Sequence, residues 1–152
     1  SIYDPAELDR LMSLMEIDIV QAPLNIIDRR LEVSGWLSKL NKNGIEVHTR
    51  STFLQGLLLM SRTKIPSKFN QWSKIWDSWV QELEKNNLDA ASVCLSYPLS
   101  LPEVSRVIIG VDNLDQFKSL ILASNSNLKK KDWSFMKSFN LKLINPSNWK
   151  FL

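Results

Sequence analysis

The stretch GIEVHTRSTFLQGLLL, residues 44–59, decides the fold. It opens on a glycine, a natural stop for the helix-periodic run before it. A short β-prone run follows, Ile45-Glu46-Val47-His48-Thr49, in which alternate side chains point to opposite faces. Glu46, His48 and Arg50 therefore share one face. The chain then breaks into a loop, Arg50-Ser51-Thr52-Phe53-Leu54-Gln55-Gly56, before helical spacing returns. A strand entered from one helix and left toward another is the mark of a parallel α/β sheet with right-handed crossovers.

The alternation continues in both directions. Upstream, Val33, Trp36, Leu37 and Leu40 predict a helix ending near Gly44, and Ile17 to Gln21 predicts a strand. Before that, Leu8, Leu11, Met12 and Met15 form a helical stripe over Asp4–Met15, with Asp4 and Glu7 as a capping box and Pro5 in the first turn. Ser1-Ile2-Tyr3 reads as the stub of another strand. Downstream, Trp72, Ile75, Trp76, Trp79, Val80 and Leu83 recur at helical spacing. A tryptophan stripe can serve as a ligand platform, but at this spacing it reads as core. A short helix over Asp89–Tyr97 ahead of Pro98, a strand over Arg106–Ile109 and a helix over Leu114–Ala123 complete the pattern. Residues 1–124 thus read as one unit, and residues 125–152 as an irregular tail with one turn of helix.

Composition narrows the function classes. One cysteine, Cys94, excludes an intrachain disulfide, fits a reducing cytoplasm and reads as a small buried hydrophobe. No apolar run reaches the ~20 residues of a membrane span, and no basic-then-apolar leader opens the chain. A first residue of serine hints at upstream sequence or a removed methionine. The net charge of +3 includes the run Lys129-Lys130-Lys131, which reads as solvated surface in the absence of any nucleic-acid motif. No metal-ligand spacing occurs. His48, the sole histidine, reads as a buried residue bonded to Glu46, with a pocket-wall role as the other reading. Asp28-Arg29-Arg30 reads as a charged helix start, or as an anion contact at the mouth of a barrel. A complete (β/α)8 barrel takes ~250 residues, and this chain has about half of that repeat set. Its sheet edges and one sheet face would need covering.

Function in such folds gathers at the carboxyl ends of strands. There the chain resembles the second half of bacterial aldo-keto reductases. QAPLNIIDRR (Gln21 to Arg30) is similar to the family's sixth strand and its loop, and GIEVHTRSTFLQGLLL to the seventh strand and the loop crossing the cofactor. VSRVIIGVDNLDQFKSLI (Val104 to Ile121) is similar to the eighth strand and its helix, and INPSNW (Ile144 to Trp149) to a C-terminal ending of some members. The resemblance implies the C-terminal half of a TIM barrel, parallel strands alternating with helices.

It also implies a set of NAD or NADP contacts. Ser1 and Gln21 fall where the nicotinamide carboxamide is bonded, although Ile2 stands where asparagine is usual. Arg50 falls where an aromatic stacks on the nicotinamide, and Ser51, Phe53, Leu54 and Gly56 fall in the loop passing the pyrophosphate. Gly110, Val111 and Gln116 fall in the segment that grips the adenosine 2′-phosphate. There Gly110 and Gln116 replace lysine and arginine, with Asp112 and Asp115 beside them, and Leu120 replaces an adenine-contacting asparagine. The family's catalytic aspartate, tyrosine, lysine and histidine lie in the first half, so no catalytic residue is expected here. Three readings follow: part of an NAD(P)-dependent carbonyl reductase, inactive alone and weak or lacking in cofactor affinity; a non-catalytic half-barrel completed by a second copy or by the first half; or a pseudoenzyme retained as a binding module.

Overall fold

The computed structural model describes residues 1–126, 128 and 131–152. Three strands, β1 (Ile19–Pro23), β2 (Glu46–Arg50) and β3 (Arg106–Val107), form one parallel sheet in the order β1-β2-β3. β1 pairs with β2 from Ile19 opposite Glu46 to Pro23 opposite Arg50, and His48 of β2 stands opposite Arg106. Helix α1 (Glu7–Leu14) precedes β1, and α2 (Arg30–Val33) with α3 (Trp36–Lys42) connects β1 to β2. Helices α4 (Ser73–Lys85) and α5 (Ala90–Leu99) connect β2 to β3, and α6 (Leu114–Ser124) follows β3. A short α7 (Leu141–Ile144) lies near the C-terminus. The expected parallel strand–helix alternation is the architecture observed.

Several boundaries differ from expectation, each for a local reason. The helix expected across Val33–Leu40 is broken in two, because Gly35 takes a left-handed φ of 80° and Val33 is exposed rather than striped into the core. β1 starts at Ile19, two residues late, and runs on to Pro23. β3 is only two residues long. Ser1–Tyr3 is not a strand, although the Ile2 N–H donates to the Gln21 carbonyl at 2.9 Å, on the flank of β1. α5 carries Pro98 inside its last turn rather than stopping before it. At the start of α1, the Glu7 carboxylate accepts from the Asp4 N–H at 2.8 Å while Asp4 accepts from the Ala6 N–H at 2.9 Å, so the expected box is only partly reciprocal.

The sheet separates two environments. Val20, Ala22 and Val47 pack under α1 and α3 with Leu8, Leu31, Leu37 and Leu40. The opposite parity, Ile19 and Gln21 on β1 with Glu46, His48 and Arg50 on β2, is exposed or half-buried. The tryptophan stripe is core: Trp76 and Trp79 are fully buried, and their indole N–H groups donate to the Phe69 and Leu58 carbonyls, both at 3.1 Å. That satisfies the only polar atom each ring carries. The segment after residue 124 is irregular in backbone but packed in substance. Trp133, Met136, Leu143 and Ile144 are buried in the same cluster as Trp76, and Trp133 meets Trp79 edge-on at 5.3 Å. Lys129 and Lys130 lie outside the described residues; Lys131 pairs with Glu82.

Candidate functional site

The loops that leave β1 and β2 are locked together. Asn25, fully buried just beyond β1, donates from Nδ2 to the Ser51 carbonyl at 2.9 Å, and its Oδ1 accepts from the Ile27 and Asp28 N–H groups, each at 2.9 Å. The Leu24 N–H donates to the Arg50 carbonyl at 3.2 Å. Ser51 then takes a φ of 62°, and Leu54, Gln55 and Gly56 follow in three successive left-handed conformations at 47°, 54° and 81°. Only the last is glycine, so the loop holds strained backbone at two non-glycine positions in a row. The Ser51 carbonyl also accepts the Leu54 N–H at 2.9 Å, which makes it the knot of the turn. Within the same loop, Thr52 Oγ1 is buried with no partner among the described residues.

The residues expected at the nicotinamide end lie close in register but are differently employed. Gln21 is half-buried opposite His48, and Ser1 is exposed at the chain start. The Arg50 guanidinium donates to the Ile2 carbonyl at 3.0 Å and to Ser51 Oγ at 3.2 Å, and it stacks over the Tyr3 ring at 4.8 Å. Its cationic plane is thus already seated on this chain's own aromatic. Phe53 is half-buried against Leu95 and Leu120, Leu54 is fully buried, and Gly56 opens a short 3-10 turn. His48 does bond Glu46, at 3.0 Å, but it is half-buried rather than buried, since the face it shares with Gln21 is uncovered.

At the other end, Gly110 and Val111 are exposed ahead of α6. Asn113 caps that helix by accepting the Gln116 N–H at 2.8 Å, and Gln116 Oε1 accepts the Asp112 N–H at 2.6 Å. Gln116 is therefore folded back as a cap, with Asp112 and Asp115 exposed beside it. Carboxylates complement a helix N-terminus but oppose a phosphate brought to it. Leu120 is buried against Leu95 and the partly buried Val107 and Ile109, so it is a packing residue.

The arginines after β1 are structural. Arg30 forms a two-pronged pair with the buried Asp28, 2.9 Å on both prongs, and reaches Asp4 at 2.7 Å. Arg29 donates to the Trp133 carbonyl at 2.8 Å and stacks over Tyr97 at 4.5 Å. Both guanidinium groups are thus engaged by the protein at the start of α2, which fits the reading of a charged helix start. Sequence reasoning missed Asn25 and the partnering of Asp28; an asparagine followed by its own i+2 and i+3 amides is the Asx signal that could have flagged the first. Around Arg29, a cavity of about 1080 Å³ is lined by Glu32, Tyr97 and Trp133. The Tyr97 hydroxyl donates to the Glu32 carboxylate there, and burial, aided by that bond, pushes the phenol up so that it stays protonated. Burial likewise pushes the Cys94 thiol up, leaving it inert. Among the described residues no cluster of histidine, cysteine and carboxylates could hold a metal ion, and no helix is long and apolar enough to cross a membrane.

The aldo/keto reductase family model matches residues 1–141. This chain belongs to the aldo/keto reductase family. Its fold is similar to that of the aldo-keto reductase AKR11C1 from Bacillus halodurans: the apo form aligns with a TM-score of 0.68 at 21% identity over 90% of this chain and 47% of that one. The holo form of the same protein aligns with a TM-score of 0.66 at 21% identity, over 86% and 44%. The thermostable aldo-keto reductase Tm1743, solved with the inhibitor epalrestat, aligns with a TM-score of 0.60 at 18% identity, over 88% and 44%. The chain spans about half the length of the solved reductases it matches, and its fold is part of their barrel. No curated protein matches it by sequence.

Proposed function

We propose that this chain forms the cofactor side of an NAD(P)-dependent oxidoreductase that reduces a carbonyl by hydride transfer. The observation that carries the reading is the tie between Asn25 and Ser51, which fixes the loops leaving two adjacent parallel strands at one end of the sheet in a member of this family. A bound nicotinamide would supply the hydride. The chain's own residues would bind and orient it: Ser1, Gln21, Arg50, Ser51, Phe53 and Gly56 toward the nicotinamide and pyrophosphate, with the fully buried Leu54 anchoring that loop from beneath, and Gly110, Val111 and Gln116 toward the adenosine. The proton donor and its partners would come from the complementary part of the barrel. Alone, the chain binds nucleotide weakly, without preference for the 2′-phosphate, and does not turn over a carbonyl. A buried, protonated Cys94 suits a reducing cytoplasm.

The test is a calorimetric titration of the 152-residue chain with NADPH and with NADH, alongside a carbonyl-reduction assay. Weak binding that does not favour NADPH, with no turnover, is expected. Turnover by this chain free of other reductases, or tighter binding of NADPH, would overturn the reading.

A further inference from the structure

We propose that the cavity beside Arg29 binds an α-amino acid with a large apolar side chain, its carboxylate on Arg29 and its ammonium group on Glu32. The cavity, of about 1080 Å³, is walled by α2, α5 and the segment around Trp133, and none of the residues assigned above to nucleotide lines it. That is room for a small molecule with water around it. Four charged side chains line the cavity, and two of them are already matched. Lys131 pairs with Glu82, and the Asp132 carboxylate accepts the Ser134 N–H at 2.7 Å and its hydroxyl at 2.9 Å.

Arg29 and Glu32 are held differently. They stand three residues apart at the start of α2, a spacing at which opposite charges ordinarily meet, yet no ion pair joins them among the described residues. Tyr97 keeps them apart: the Arg29 guanidinium stacks over its ring at 4.5 Å, while Glu32 accepts from its hydroxyl. Arg29 Nε and Nη2 donate to the Ile26 and Trp133 carbonyls at 3.2 and 2.8 Å. Those two bonds fix the guanidinium and leave Nη1 without a partner among the described residues. Glu32 keeps Oε1 open in the same sense. In the run Asp28-Arg29-Arg30, Arg30 is thus taken up by Asp28, and Arg29 retains a donor.

A cation and an anion at the face and the rim of one ring fit a ligand that carries both charges on one small body. An α-amino acid does so: its carboxylate accepts from Nη1, its ammonium group donates to Oε1, and both bonds are charge-assisted. A ligand of one sign would leave the other half-buried side chain unanswered. The apolar requirement comes from the rest of the wall. Leu88, Val93 and Leu101 line the same cavity. The Ser96 and Ser100 hydroxyls donate back to the Val93 and Tyr97 carbonyls at 2.9 and 2.8 Å, so they donate nothing to a ligand. An aliphatic or aromatic side chain set against this wall leaves water.

The test titrates the 152-residue chain by calorimetry, without nucleotide, with L-phenylalanine, L-leucine, glycine, N-acetyl-L-phenylalanine and L-phenylalaninamide. Phenylalanine and leucine should saturate one site. The other three, each lacking the side chain or one charge, should bind about tenfold or more weakly. Glu32→Gln keeps an acceptor for the Tyr97 hydroxyl but loses the charge, and should erase the difference between phenylalanine and its N-acetyl derivative. If that variant loses its circular dichroism, the ligand series on the unaltered chain decides alone. No saturable heat from phenylalanine or leucine overturns the proposal. So does equal affinity for phenylalanine and either of its singly charged derivatives, or a difference that survives in a folded Glu32→Gln.

Discussion

Asn25 Nδ2 lies 2.9 Å from the Ser51 carbonyl, and this one hydrogen bond couples the exits of two neighbouring strands. Because Asn25 is fully buried, no water can replace what it gives. Asn25→Ala orphans the Ile27 and Asp28 amides and leaves the Ser51 carbonyl with the Leu54 N–H alone, and should cost on the order of 2–3 kcal/mol in urea unfolding. Asn25→Asp keeps an acceptor for the two amides but turns a carboxylate oxygen on Ser51. Amide exchange should then quicken over residues 51–58 and not over 26–31. Equal quickening in both segments would mean that the bond does not act across the two loops.

A second expectation concerns Arg30. Its two-pronged pair with Asp28 is nearly sealed from solvent, the carboxylate 1% and the guanidinium 12% exposed. Arg30→Met strips a buried charge of its main partner and should cost about 3–5 kcal/mol. Replacing both, Asp28→Leu with Arg30→Met, should recover much of that. A double variant as unstable as the single one would show that the pair's worth lies elsewhere, for instance in its hold on Asp4.

Thr52 predicts the opposite sign. Its hydroxyl is buried without a partner among the described residues, so Thr52→Val removes a desolvated polar atom at constant shape. Stability should rise by about 1 kcal/mol. If nucleotide is titrated into the same variant and affinity falls while stability rises, the hydroxyl was kept for the ligand. A loss of stability would show a partner that the loop acquires in solution.

The docking of the C-terminal segment should weaken in acid. A hydrogen bond from Lys131 holds the Glu82 carboxyl below its ordinary value, and the Ser134 backbone N–H does the same for Asp132. Carboxylates depressed in the folded state stabilise it above their unfolded pKa, about 4, and that contribution disappears as pH falls through the lower folded values. Limited proteolysis after residue 124 should therefore accelerate below about pH 4. The acceleration should be shallower in Glu82→Gln. Identical profiles would assign the acid sensitivity to other groups.

The parts of the fold written in periodicity were legible before any coordinates. The tryptophan spacing of α4 and the alternation of β2 each depend on nearest neighbours along the chain, and both are seen. The break at Gly35 was also local and could have been read from the glycine itself. By contrast, the burial of Trp133 and Met136 depends on contacts with residues more than fifty positions away, which no local pattern carries. The site divides the same way. Which residues stand at strand ends followed from the order of elements. That Arg50 would turn onto Tyr3 and Ile2, and Gln116 back onto Asp112, depended on which partner each long polar side chain finds, and several were within reach.

Gln116 gives the sharpest test of nucleotide choice. Its amide oxygen accepts the Asp112 N–H, a role that arginine cannot fill because its guanidinium only donates. Gln116→Arg therefore has two separable effects. Loss of the acceptor frees one amide near the start of α6 and should lower stability by about 0.5–1.5 kcal/mol. The released guanidinium stands beside Asp112 and Asp115, where it offsets their repulsion of a 2′-phosphate and can bond the phosphate through paired N–H groups. The ratio of NADPH to NADH affinity should rise several-fold in low salt and shrink as salt is added, because the gain is electrostatic. Adding Asp115→Asn should raise the ratio further. A ratio that stays at its starting value in both variants, with the helix intact by circular dichroism, would mean that the adenosine end of the nucleotide does not lie at the start of α6.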